Sequence, residues 1–163
     1  MRIWVSRPEP GAGRTARHLA GLGHLALVAP VLRIAPTGAT PPAGPFDGVI
    51  LTSANAVAPL AATGLAGPPV FAVGRRTAER AQAAGLGRVF CADGDAAGLA
   101  RLVADQLTPG SLLLHVAGED RKAEPEASLQ MAGYRILSWT AYAARALEAL
   151  PEPAARALAG ESG

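Results

Sequence analysis

The chain is poor in aromatics, charge, cysteine and lysine. Phe, Trp and Tyr make up 4% of 163 residues, so a core must come mainly from Ala, Leu and Val. One cysteine, Cys91, excludes an internal disulfide and fits a reducing compartment. It sits inside an apolar run, which predicts a buried structural thiol and not a nucleophile. No apolar run approaches the roughly 18 to 20 residues of a membrane span. The start, MRIWVSRPEP, has too short an apolar stretch for a signal peptide. A soluble, cytoplasmic chain is expected. Lys122 is the only lysine, the arginines are scattered, and the net charge is +2. With no basic run, no nucleic-acid footprint is present.

Several chemical signatures are also missing. No Walker A sequence occurs. His18, His24 and His115 lack metal-ligand spacing. No Ser-His-acid order stands out. The stretch Gly11-Ala12-Gly13-Arg14-Thr15-Ala16 matches a dinucleotide pattern. However, Arg7-Pro8-Glu9-Pro10 intervenes after the strand, and no acid follows near Val31.

Half the residues are hydrophobic and 17% are charged, which excludes disorder of the whole chain. Short apolar runs predict strands at Ile3–Ser6, Leu25–Val28, Val49–Thr52, Val70–Val73, Val89–Ala92, Leu112–Val116 and Arg135–Thr140. Helical patterns lie between most of them. Thr15–Leu22 is closed by Gly23, and Arg76–Ala84 by Gly85. Leu99, Leu102, Val103 and Leu107 keep helical spacing behind a cap at Asp95. Alternating strands and helices, with nearly continuous apolar strands, predict an α/β fold with a parallel sheet covered on both faces. The clear linker is PTGATPPAGP, from Pro36 to Pro45.

Sliding the chain by 110 residues sets MRIWVSRPEPG on SLLLHVAGEDR. Each copy reads strand, turn, helix ending in L-x-x-x-G, second strand. A different unit of three strands and three helices lies between them. If units come in the order A, B, A′, a second B is missing. The end, ARALEALPEPAARALAGESG, has no evident strand or packing partner, and the sequence reads as cut off there.

Four turns follow strands and fit an anion. Helices starting at the carboxyl ends of parallel strands aim N–H groups and a positive dipole end at a ligand. Thr52-Ser53-Ala54-Asn55 offers small residues and close backbone approach. Gly74 can take a tight turn, and Thr77 can cap or donate. Gly118 opens a turn to which Arg121 adds charge, and Arg7 follows the first strand. Each turn has a plain reading as an ordinary cap. All four on one sheet edge would favour an anion site. His115, on a core strand, reads as a satisfied core histidine. Tyr142 follows a strand end and either covers the sheet edge or donates a proton or hydrogen bond. A phenol is a weak acid, so its leaving group must depart easily.

Taken together, VSRP, FDGVILTSANAV, VFAVGRRTAERAQAAG, DAAGLARL, LLLHVAGEDR and LQMAGYRILSWTAY resemble the uroporphyrinogen-III synthase family over residues 1–145. The resemblance implies two flavodoxin-like α/β domains joined by two strand-like connectors. The first would comprise 1–34 and be incomplete, the second 35–146, and 147–163 would return towards the first. It implies cyclisation of hydroxymethylbilane to uroporphyrinogen III. The hydroxyl is lost and the D ring inverts through a spiro intermediate, with no cofactor or metal. Tyr142 would assist departure of the hydroxyl. Ser53, Ala54, Asn55, Gly74, Thr77 and Gly118 would line the cleft, with Arg7 and Arg121 as carboxylate contacts. The partner would be a small linear tetrapyrrole, with neither nucleic acid nor membrane. The family state would be a monomer, with a swapped or associated fragment as the alternative for this chain. The rival readings are a non-catalytic flavodoxin-like module for a phosphate- or carboxylate-bearing ligand, and a scaffold domain.

Overall fold

In the computed structural model, residues 1–92 and 94–160 are described. The segment expected to return towards the first domain therefore extends, at 161–163, outside the described residues. Two units are present: Met1–Ala35 with Ala144–Gly163, and Pro36–Ala143.

The larger unit follows from its apolar runs. Strands β4 (Gly48–Leu51), β5 (Val70–Ala72), β6 (Val89–Cys91), β7 (Leu112–Gly118) and β8 (Arg135–Ala146) alternate with helices α2 (Val57–Ala62), α3 (Arg75–Ala83), α4 (Ala96–Gln106) and α5 (Glu126–Met131). Together with β3 (Leu32–Pro36) they make a six-stranded sheet in the order β3-β8-β7-β4-β5-β6. The pairs from β8 through β6 are parallel. The chain winds from β4 outward to β6, then crosses back to place β7 on the other side of β4. The switch in winding lies between β4 and β7.

Successive strand residues face opposite sides, so each run feeds two cores. Val49, Leu51, Leu114, Val116 and Trp139 join Val57 and Leu60 of α2 and Ala81 of α3 on one face. Ile50, Phe71 and Leu113 join Leu99 and Val103 of α4 and Leu129 of α5 on the other. Each fully buried large side chain contributes about 1.5–3 kcal/mol relative to exposure. Asp95 caps α4 as expected, its carboxylate accepting from the Gly98 N–H at 2.6 Å. Gly85 closes α3 with φ +75, a left-handed turn that costs glycine no steric penalty.

The smaller unit holds β1 (Arg2–Val5), α1 (Gly11–Gly21), β2 (Leu25–Val28) and α6 (Glu152–Leu158). β1 and β2 form a separate two-stranded parallel sheet. The internal repeat is visible in the registers. Arg2 pairs with Leu25 as Leu112 pairs with Arg135, at the same chain spacing. α1 starts earlier than the expected Thr15, because the Glu9 carboxylate accepts from the Gly13 N–H at 3.1 Å. That bond uses a donor a bound phosphate would need.

Three expectations are corrected. The chain end does carry structure: β8 runs on to Ala146, and α6 buries Ala154 and packs on β2. The segment beginning at Pro36 is preceded by a strand, β3, that the apolar pattern did not reveal, because its burial is only partial. Cys91 is exposed, not buried, because it ends β6 at the sheet edge.

Candidate functional site

The parallel registers fix which turns are neighbours. Leu51 of β4 pairs with Val116 of β7 and with Ala72 of β5. Two residues beyond that rung lie Ser53, Gly118 and Gly74. Gly118 in turn pairs with Tyr142 of β8. The turns after β4, β5 and β7 and the Tyr142 position therefore share one sheet edge, at the carboxyl ends of parallel strands. The β4–β7 switch falls among them, where open α/β sheets form their ligand crevice.

Locally, each turn has its own geometry. Ser53 is extended and its Oγ accepts from the Asn55 N–H at 3.2 Å, opening a 3₁₀ turn over Ala54–Ala56. Accepting leaves the Ser53 hydroxyl its own proton to donate. Gly74 is the N-cap of α3 at φ -129, extended backbone open to any residue. The expected tight turn is absent there. What Gly74 does provide is room: among the described residues, its chain neighbours and own helix backbone apart, no atom lies within 4 Å of where a Cβ would stand. The cap position on Gly74 also means that Thr77 is not the cap; it is buried inside the first turn.

Gly118 and Tyr142 are brought into direct contact. A Cβ on Gly118 would lie 2.8 Å from Tyr142 Cε2 and 3.2 Å from its hydroxyl oxygen. Gly118 does not open a turn; it is the last residue of β7, beside an irregularity between Ala117 and Gly118. Tyr142 lies inside β8, not past its end, and its half-buried ring packs on the Val116–Trp139 core face. The Glu119 N–H donates to the Tyr142 carbonyl at 2.9 Å, which holds the two strands together just beyond Gly118. Arg121 is exposed in the loop that follows.

Arg7 belongs to the smaller unit, and β1 is not part of the six-stranded sheet. The expectation of four turns on one edge is corrected to three. Arg7 folds back on α1, with Nε 2.7 Å from where a Gly11 Cβ would stand.

A polar network that the sequence reading missed lies on the other face of β4, β7 and β8. His115 is 1% exposed. Its Nδ1 lies 2.6 Å from Glu126 Oε1, and its Nε2 lies 3.3 Å from the Thr52 hydroxyl. The Ser138 hydroxyl donates to the same Glu126 oxygen at 2.6 Å. His115 is thus the satisfied core histidine expected. Burial pushes its pKa down, and the Glu126 carboxylate only partly offsets that. Burial pushes Glu126 up, but bonds from Ser138 and His115 outweigh it and hold the carboxylate below its ordinary value. The Arg121 charge reaches both groups and lowers both. The signal was present but unreadable: His115 and Ser138 are cross-strand partners, and registers cannot be read from one strand at a time.

Comparison with known proteins gives the following. The family profile of uroporphyrinogen-III synthase HemD matches residues 13–162. The solved uroporphyrinogen-III synthetase of Helicobacter pylori is 18% identical with a TM-score of 0.59, covering 91% of this chain and 63% of that one. A mutant uroporphyrinogen III synthase of the extremely thermophilic bacterium Thermus thermophilus is 20% identical with a TM-score of 0.54, covering 98% and 69%. At these identities the likeness is one of fold. The chain spans 63% of the length of the Helicobacter pylori protein. No curated protein matches it.

Proposed function

The chain belongs to the uroporphyrinogen-III synthase family, and on that premise we propose that it cyclises hydroxymethylbilane to uroporphyrinogen III, with D-ring inversion and loss of water. The carrying observation is the shared edge of Ser53, Gly74 and Gly118 beside the Tyr142 ring. The turns after β4 and β5 each lead into a helical turn, whose N–H groups suit scattered acetate and propionate carboxylates. Ser53 adds a hydroxyl donor, Ala54 and Asn55 a small-residue approach, and Gly74 open space. Thr77 contributes through its backbone. Arg121 is a carboxylate contact of the proposal. Electron-rich pyrrole nitrogens expel the hydroxyl, so the protein supplies chiefly orientation. Tyr142 assists departure of the hydroxyl by hydrogen bonding. The reaction needs no cofactor, and the proposed setting is cytoplasmic, as a monomer for the full-length family with a swapped or associated fragment as the alternative for this chain.

The test is to supply hydroxymethylbilane and resolve the isomers of the product. Type III is the expected product; type I alone, the spontaneous product, would sink the proposal. Tyr142→Phe should lower turnover with an unchanged unfolding midpoint. Wild-type rates in that variant would remove Tyr142 from its role.

A further inference from the structure

We propose that Thr52 is a ligand-facing hydrogen-bond acceptor, its own proton committed to the buried His115–Glu126 pair, and that it receives a pyrrole-type N–H at the β4–β7 crevice. The ligand class rests on the function proposed above; the acceptor assignment does not.

The direction of each bond follows from donor inventory. An ionised carboxylate can only accept. Glu126 Oε1 receives both the Ser138 hydroxyl and His115 Nδ1, each at 2.6 Å. Nδ1 therefore carries the imidazole proton. In a neutral imidazole the other nitrogen is then a bare acceptor. Nε2 faces the Thr52 hydroxyl at 3.3 Å, so Thr52 must be the donor. A hydroxyl has one proton. Once it is given to His115, Thr52 has only lone pairs left for anything outside.

Placement makes this more than a satisfied core. His115 is 1% exposed, whereas Thr52 is exposed at the first position past β4. Thr52, one residue past β4, and His115 of β7 stand at the two strands that flank the switch in winding. Among the other groups proposed for this edge, the backbone N–H groups, the Ser53 proton and the Arg121 guanidinium donate, while the Tyr142 hydroxyl and the Asn55 carboxamide can do either. Donors suit carboxylates and cannot hold an N–H. A linear tetrapyrrole carries both kinds of group, so a fixed acceptor among donors would tell its rings from its acid side chains. His115 and Glu126 are positioning residues in this scheme, and Thr52 is the contact.

Two measurements test it on the intact chain. The first is ¹⁵N NMR of the His115 imidazole near neutral pH. The expected species is neutral and protonated on Nδ1. A neutral ring protonated on Nε2, or an imidazolium, would overturn the assignment. The second compares Thr52→Val and Thr52→Ser in hydroxymethylbilane turnover. Thr52→Val should lower kcat/KM roughly three- to tenfold, the worth of one neutral hydrogen bond, and Thr52→Ser should restore it. Unchanged kcat/KM in Thr52→Val would overturn the contact. A wild-type chain yielding only type I would refute the function instead, and the tautomer would still decide the acceptor assignment.

Discussion

Replacing Gly118 by alanine should destabilise the larger unit through one neighbour, the Tyr142 ring. The added Cβ would stand 2.8 Å from Cε2 and 3.0 Å from Cζ. Carbon atoms settle at about 3.5–4.0 Å, so the ring must retreat by most of an ångström or β7 and β8 must part. Parting them would strain the Glu119–Tyr142 backbone bond at 2.9 Å. Overpacking of this kind costs about 1–3 kcal/mol. Urea unfolding should show a lower midpoint at unchanged slope. The Tyr142→Ala background isolates the cause: without the ring, Gly118→Ala should cost less than about 0.5 kcal/mol, a coupling expected only of residues in contact. An equal loss in both backgrounds would refute the argument and put the requirement for glycine in the backbone of the β7 irregularity.

Two further predictions concern stability. Asp95→Ala removes the acceptor of the Gly98 N–H and should cost about 1 kcal/mol, while Asp95→Asn should retain most of the cap; equal losses would mean the cap is not the source. Acid should weaken the fold through the His115–Glu126 pair. The His115 pKa is lowered from 6.5, so below that value the unfolded chain takes the proton first. Its contribution is complete above pH 6.5 and is lost as pH falls towards the folded value. Glu126 is lowered from 4.5, and its contribution is complete above that value and lost as pH falls through the folded one. Both slopes have the same sign. Urea midpoints should fall from about pH 7 to about pH 4, and more steeply between pH 6.5 and 4.5 in Glu126→Gln, where no carboxylate offsets the burial of His115; identical slopes would count against the pair.

Strand runs such as VILTS and LLLHV, helix stops at Gly23 and Gly85, and the Asp95 cap were legible because each depends on a few adjacent residues. Edge and continuation were not. Cys91 sits in an apolar run but at the sheet edge, and exposure there depends on which strand fails to follow. Tyr142 looked like a residue past a strand end, yet β8 continues to Ala146 through Ala residues that propensity does not mark as strand. Of the candidate site, the turns at Ser53, Gly74 and Gly118 could be named from composition. The pairing that unites them, and the one that sets Arg7 on a different sheet, could not.

By itself the sequence determined the alternation of strands and helices, the two-faced apolar core and the small-residue turns. These follow from local periodicity and backbone sterics, which act over a few residues. Tertiary structure alone decided which turns share an edge, that Tyr142 lies over Gly118, and that Thr52, His115, Glu126 and Ser138 form one chain of hydrogen bonds. Those contacts join residues far apart in the chain, and only strand order and register bring them within bonding distance.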